Sequence, residues 1–195
     1  MHTTTETSMT KDHIDAYRRT LLQIAAGLAG AGQINAAGAT ETRAAPHATG
    51  KPGDFDFLSG HWKIRHRRLK DQVWDSFDGE ASVFGILGGI ASVEELRIPA
   101  RNFSGMGLRL LDVERKLWAD YWVGGQSGVA RPPVWGSFAD GAGTWDAEET
   151  EDGKPVIVRG MWDQITAQSC RWRQAVSRDS GISWDENWIM HWQRA

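Results

Sequence analysis

The stretch Ser183-Trp184-Asp185-Glu186-Asn187-Trp188-Ile189-Met190-His191-Trp192 alternates bulky apolar and polar side chains with a period of two. That period belongs to an extended strand, whose successive side chains leave on opposite faces. Trp184, Glu186, Trp188, Met190 and Trp192 share one face, and Ser183, Asp185, Asn187, Ile189 and His191 share the other. The tryptophan face is expected to point into a core. The segment from residue 60 repeats the logic: Trp62, Ile64, His66 and Arg68 lie on one side, and a basic row of His61, Lys63, Arg65 and Arg67 faces solvent on the other.

Turn chemistry recurs at short intervals between these two segments: Asp78-Gly79, Gly88-Gly89, Gly124-Gly125, Pro132-Pro133, Asp140-Gly141, Asp152-Gly153 and Arg178-Asp179-Ser180-Gly181. Such pairs are hairpin and loop signals. No stretch after residue 54 sustains an apolar stripe of helical period for three turns, so the chain is expected to be all-β with little helix. The pattern places strands at 60–70, 74–86, 90–97, 103–112, 117–124, 133–139, 143–149, 154–163, 169–177 and 183–193. About ten antiparallel strands with short connections leave exposed edges unless the sheet closes, which favours an up-and-down barrel. A barrel of this size has room for one small ligand.

Composition narrows the function. The chain has 195 residues, with 25 acidic and 22 basic side chains and a net charge of -3, so no general attraction for phosphate backbones exists and no nucleic-acid partner is expected. The single cysteine, Cys170, excludes an internal disulfide and a thiolate-built zinc site. Eleven tryptophans against two tyrosines and six phenylalanines supply large apolar area, each indole bringing an N–H that wants a partner when buried.

The first residues read as an address. Arg18-Arg19 precede a weakly apolar, Ala- and Gly-rich run from Ile24 to Gly32, the pattern of a twin-arginine export signal. The run is too short and too rich in glycine for a permanent membrane anchor. Residues 1–45 are therefore expected to be an export signal with its cleavage region, 46–53 a flexible linker and 54–195 the folded barrel, placing the mature protein in the periplasm or outside the cell.

Beyond these local patterns, Asp56-Phe57-Leu58-Ser59-Gly60-His61-Trp62-Lys63-Ile64 resembles the Gly-x-Trp opening of lipocalin-like (calycin) barrels. Gly107-Leu108-Arg109-Leu110-Leu111-Asp112, Trp118-Ala119-Asp120-Tyr121-Trp122, Arg171-Trp172-Arg173-Gln174-Ala175-Val176-Ser177 and Ser183–Met190 follow in order. Together they resemble a bacterial lipocalin-like family of unknown function over about residues 54–194. The resemblance implies a calycin-type barrel with a pocket for an apolar or aromatic small molecule, Trp62 plugging one end. It implies no reaction.

Arg109 stands in an apolar strand on the same face as Gly105 and Gly107. An inward guanidinium there would offer a planar fork of donors to a ligand carboxylate, phenolate or enolate. It would otherwise pair with Glu95 or Glu186, or face outward. Glu186, between Trp184 and Trp188, would be a carboxylate in an apolar wall, and His66 shares a face with Trp62 and Ile64. These two are the acid/base candidates if the protein is an enzyme. Tyr121, Trp122, Gln174, Trp188 and Trp62 complete the ligand-binding set with Arg109.

His61 and His66 face opposite sides of a strand, so they make no metal pair, and no metal or other cofactor is expected. Haem is a rival only through His191, a histidine near the C-terminus as in some ten-stranded barrels. No nucleophile elbow, phosphate loop, dinucleotide fingerprint or zinc-protease helix occurs. The expectation is an exported binding protein for an apolar or aromatic small molecule, monomeric or homodimeric. Its rivals are a cofactor-independent isomerase, cyclase or dehydratase using the same cavity, and a barrel whose rim serves protein assembly.

Overall fold

The computed structural model describes residues 48–195. The export signal, its cleavage region and the paired arginines lie outside the described residues. Ten strands follow one another: β1 (Gly60–Lys70), β2 (Val73–Ile86), β3 (Ala91–Ile98), β4 (Phe103–Asp112), β5 (Leu117–Gly124), β6 (Val134–Ala139), β7 (Ala142–Glu151), β8 (Lys154–Asp163), β9 (Ser169–Ser177) and β10 (Asp185–Arg194). Each pairs antiparallel with its sequence neighbour, and β1 pairs with β10 to close the barrel. Every strand boundary lies within two residues of that expected from the alternation and turn signals. Among the described residues, the helical segments are 3-10 turns of three residues each.

One end of the barrel is stoppered by residues 50–59. Gly50 N–H donates to the Lys116 carbonyl at 2.8 Å and Gly53 N–H to that of Gly89 at 2.9 Å, tying this segment to the turns after β4 and β2. Phe55 then packs edge-on against Trp118 and Phe138, and the buried Trp62 donates its indole N–H to the Leu58 carbonyl at 2.7 Å. Arg194, at the end of β10, lies over the Trp62 ring and donates to the carbonyls of Phe57 and Ser59. At the opposite end the Arg101 guanidinium sits 3.8 Å from the centre of the Phe77 ring, with Ile98 and Phe103 packed beside it. Between the two ends lies the aromatic interior.

Strict alternation fails in one place that bears on function. Glu186 pairs with Ala175, but Trp188 pairs with Gln174, so β10 spends two residues where β9 spends one. This is a β-bulge at Asn187, which re-aims the residues on either side. Trp188, Met190 and Trp192 face inward as the alternation predicts, whereas Glu186 and Trp184 belong to the outer wall. There Glu186 accepts from Arg173 at 2.5 Å, and Trp184 lies beneath the Arg159 guanidinium. The expectation of a carboxylate between two indoles inside the barrel is corrected accordingly.

Candidate functional site

A cavity of about 120 Å³ occupies the interior between β3 and β10. Six tryptophans line it: Trp122, Trp145, Trp162, Trp172, Trp188 and Trp192. Leu96, Val158 and Met190 add aliphatic surface. Its one charged wall comes from three neighbouring strands, Glu94 of β3, Arg109 of β4 and Asp120 of β5.

The strand register creates this wall. Arg109 stands directly opposite Asp120, while Glu94 stands opposite Gly107, one inward position along β4. A β-carbon at residue 107 would lie 3.2 Å from Arg109 Nη2 and 3.3 Å from Glu94 Oε2, so the missing side chain leaves the space in which the pair meets. Arg109 Nη2 donates to Glu94 Oε2 at 2.5 Å, and its Nε lies 3.8 Å from Asp120 Oδ1. Gly105, the next inward position, is covered by the Trp122 ring, which a β-carbon would meet at 2.1 Å. The glycine stripe thus accommodates an ion pair and an indole.

Electrostatics follow from the packing. Burial works against the Arg109 charge, but the carboxylates of Glu94 and Asp120 outweigh it and raise its pKa above the ordinary value. Asp120 behaves differently. Burial pushes its carboxyl up to about 6, Arg109 opposes the rise and Glu94 adds to it. A group in that range exchanges its proton near neutrality, as acid/base chemistry requires. Cys170, pushed by burial up to about 12, stays a thiol and is a poor nucleophile.

Three buried donors around the cavity lack a hydrogen-bond acceptor among the described residues: Arg109 Nε and Nη1 in this wall and Trp192 Nε1 on β10. Such orphans are uncommon in folded proteins because an unmet buried donor costs about 1–3 kcal/mol. All three belong to residues that line the cavity.

The residues expected from sequence divide into two groups. Arg109, Trp122 and Trp188 line the cavity; Tyr121 borders it between Asp120 and Trp122, but the register that turns those two inward sets the Tyr121 side chain on the outer face opposite Leu108. Trp62, Gln174 and His66 are buried but contribute nothing to its lining. Trp62 belongs to the stopper, and Gln174 donates its amide to Asn187 Oδ1 at 3.1 Å. His66 stacks on Phe77 and accepts the Trp188 indole N–H at Nδ1, 3.3 Å away. His191 is exposed on the outer wall between Arg65 and Arg171 in register, so it presents no axial ligand to the interior. Among the described residues, no three His, Cys, Asp or Glu side chains cluster as a metal site would require.

Glu94 and Asp120 are the site residues that sequence reasoning passed over, although each stands in an alternating run. Glu94 precedes the inward Leu96 and Ile98 at spacing two, and Asp120 lies between Trp118 and Trp122. The signal was present locally; the partner was not.

The class defined by this geometry is a closed antiparallel β-barrel with a buried aromatic cavity, an architecture compatible with ligand binding. No family model matches the chain, and no curated protein matches it. Among solved structures it is similar to a protein of unknown function from the DUF3598 family of Nostoc punctiforme, with 12% identity and a TM-score of 0.42. The similarity covers 77% of this chain and 52% of that one, so the chain spans about half the length of its neighbour.

Proposed function

We propose that this protein is a lipocalin-like binding protein for a small apolar or aromatic molecule bearing a hydrogen-bond acceptor. The observation that carries the reading is the set of unanswered donors, Arg109 Nε and Nη1 and Trp192 Nε1, on two residues that line a mostly aromatic cavity. A ligand carbonyl, phenolate or carboxylate oxygen would meet them while its apolar body lies against the indoles. Size limits the ligand to about one ring: a dry cavity of roughly 150 Å³ takes up benzene, and this one is about 120 Å³. The test is titration of substituted phenols and benzoates, followed by tryptophan fluorescence and calorimetry. Binding in the wild type, weakened about tenfold or more in Arg109→Met, is expected for a charge-assisted hydrogen bond. Equal affinity in the two proteins would overturn the reading.

A second reading rests on Asp120. Its carboxyl, pushed up to about 6 beside an arginine in the cavity wall, is suited to move a proton on a bound carbonyl compound while Arg109 holds the developing oxyanion. Asp120 takes the place that Glu186 and His66 occupied in the sequence-based expectation. Asp120→Asn separates the two readings: a binder keeps its affinity and has no turnover to lose, whereas an isomerase or dehydratase keeps affinity and loses turnover.

Export belongs to the same proposal and rests on Arg18-Arg19 and the run that follows them. N-terminal sequencing of the protein from its native host is expected to begin between residues 36 and 46; an intact Met1 would overturn it.

A further inference from the structure

The outer wall of the barrel is chemically lopsided. Over β1 and β7–β10 it carries Lys63, Arg65 and Arg67 together with ion pairs such as Arg159–Asp146 and Arg171–Asp163. Over β2–β5 it is apolar toward the end that carries Ile86 and Leu110, while Asp78, Glu80, Glu95 and Arg97 share the same outer face further along. Cross-strand register lines Phe84, Val93, Leu108 and Tyr121 into one row, and Ile86, Ala91, Leu110 and Ala119 into the next, which Trp135 of β6 extends. Neither row contains a charged residue. Met106 stands beside the first row, and Leu87 follows Ile86 at the end of β2.

Five of these side chains are open to solvent, Phe84 at 58%, Leu87 at 67%, and Ile86, Met106 and Leu110 between 36% and 45%, while Ala91 and Ala119 are buried. At on the order of 100 Å² for each, and with the half-buried Val93, Leu108 and Val123 adding to them, the face presents roughly 500–600 Å² of apolar surface. That is the upper end of what a monomer leaves exposed, and most of the approximately 800 Å² per partner that a standard interface buries.

We propose that the β2–β5 face is the interface of a homodimer, two copies packing sheet on sheet. The charges at its margin select that occupant. Arg97 is already neutralised by Glu80 and Glu95 at 3.0 and 2.8 Å, and Arg115 lies over the Trp135 ring at 4.1 Å. With Arg97 and Arg115 engaged inside the chain, the two apolar rows themselves offer no charge to a partner. An identical apolar face matches it in both area and polarity, as a two-fold interface requires. Tyr121 stands in this face, and its chain neighbours Asp120 and Trp122 turn inward to the cavity.

The experiment is analytical ultracentrifugation of the full chain over a concentration series, with Phe84→Glu and Leu108→Lys as variants. The wild type is expected to dimerise with half-dissociation near or below about 10 µM. Each variant should weaken the dimer at least tenfold while its tryptophan emission, which reports the interior, is unchanged. Should the variants fail to fold, peroxide oxidation of Met106 in the wild type serves instead: the rate should fall as the protein is concentrated. A wild type that is monomeric throughout overturns the proposal, as does a dimer that survives both folded variants. A monomer whose Met106 is protected at every dilution also overturns it, and assigns the face to residues 1–47 of the same chain.

Discussion

Arg109 stands or falls with Glu94. Its replacement by Met leaves the Glu94 carboxylate buried without its partner, and breaking a buried pair in this way costs about 3–5 kcal/mol. Replacing both residues, as in Arg109→Met with Glu94→Leu, removes the unpaired charge and is expected to regain most of that loss in urea denaturation. A double variant no more stable than the single one would mean that the pair is not the source of the cost. Glu149 provides a separate test at this scale. It is buried on β7 opposite Val156, its Oε1 has no hydrogen-bond partner among the described residues, and burial pushes its carboxyl from an ordinary 4.5 up to about 8. The folded protein therefore binds more protons than the unfolded chain between those two values, and stability falls as pH rises through that window. Glu149→Gln is expected to remove this slope and to raise Tm by about 3 °C or more at pH 8, as roughly 1 kcal/mol would in a domain of this size. The advantage should vanish below about pH 4.5. Thermal melts across pH decide it.

At the scale of the strand, local pattern and cross-strand packing contribute different things. β4 keeps perfect alternation, yet the meaning of its glycines comes from β3 and β5: Gly107 admits the Arg109–Glu94 pair and Gly105 admits the Trp122 ring. Gly105→Ala is expected to displace that ring toward the cavity, at about 1–3 kcal/mol for overpacking. Urea denaturation and ligand titration should both register it; unchanged affinity would show that Trp122 is not part of the ligand's surroundings. β10 is the opposite case, because its sequence alternates without interruption while its pairing does not. The bulge at Asn187 exists only as a mismatch in count between β10 and β9, and a strand read alone carries no such count. That is why Glu186 was legible as a strand residue but its face was not.

On the scale of the whole molecule, closure is the feature on which the interior depends. β1 finds its second partner in β10, well over a hundred residues later, and without β10 both β1 and β9 become open edges above an uncovered aromatic core. A chain ending at Ser183 is expected to lose the cooperative thermal transition and to aggregate, as circular dichroism and light scattering would report. A soluble, cooperatively melting product would show that nine strands suffice. The sequence by itself determined the all-β class, the order and extent of the ten strands, the need for closure and the inward direction of Trp188. All of these follow from two-residue periodicity and turn chemistry, which act between near neighbours in the chain. Only the tertiary structure decided that Arg109 meets Glu94 and Asp120 rather than Glu95 or Glu186, that His66 and Gln174 are buried away from the cavity lining, and that apolar surface gathers on the outside of β2–β5. The physical reason is that these depend on the register between strands. Register is a property of the closed sheet, and a shift of one residue exchanges every inward side chain for an outward one.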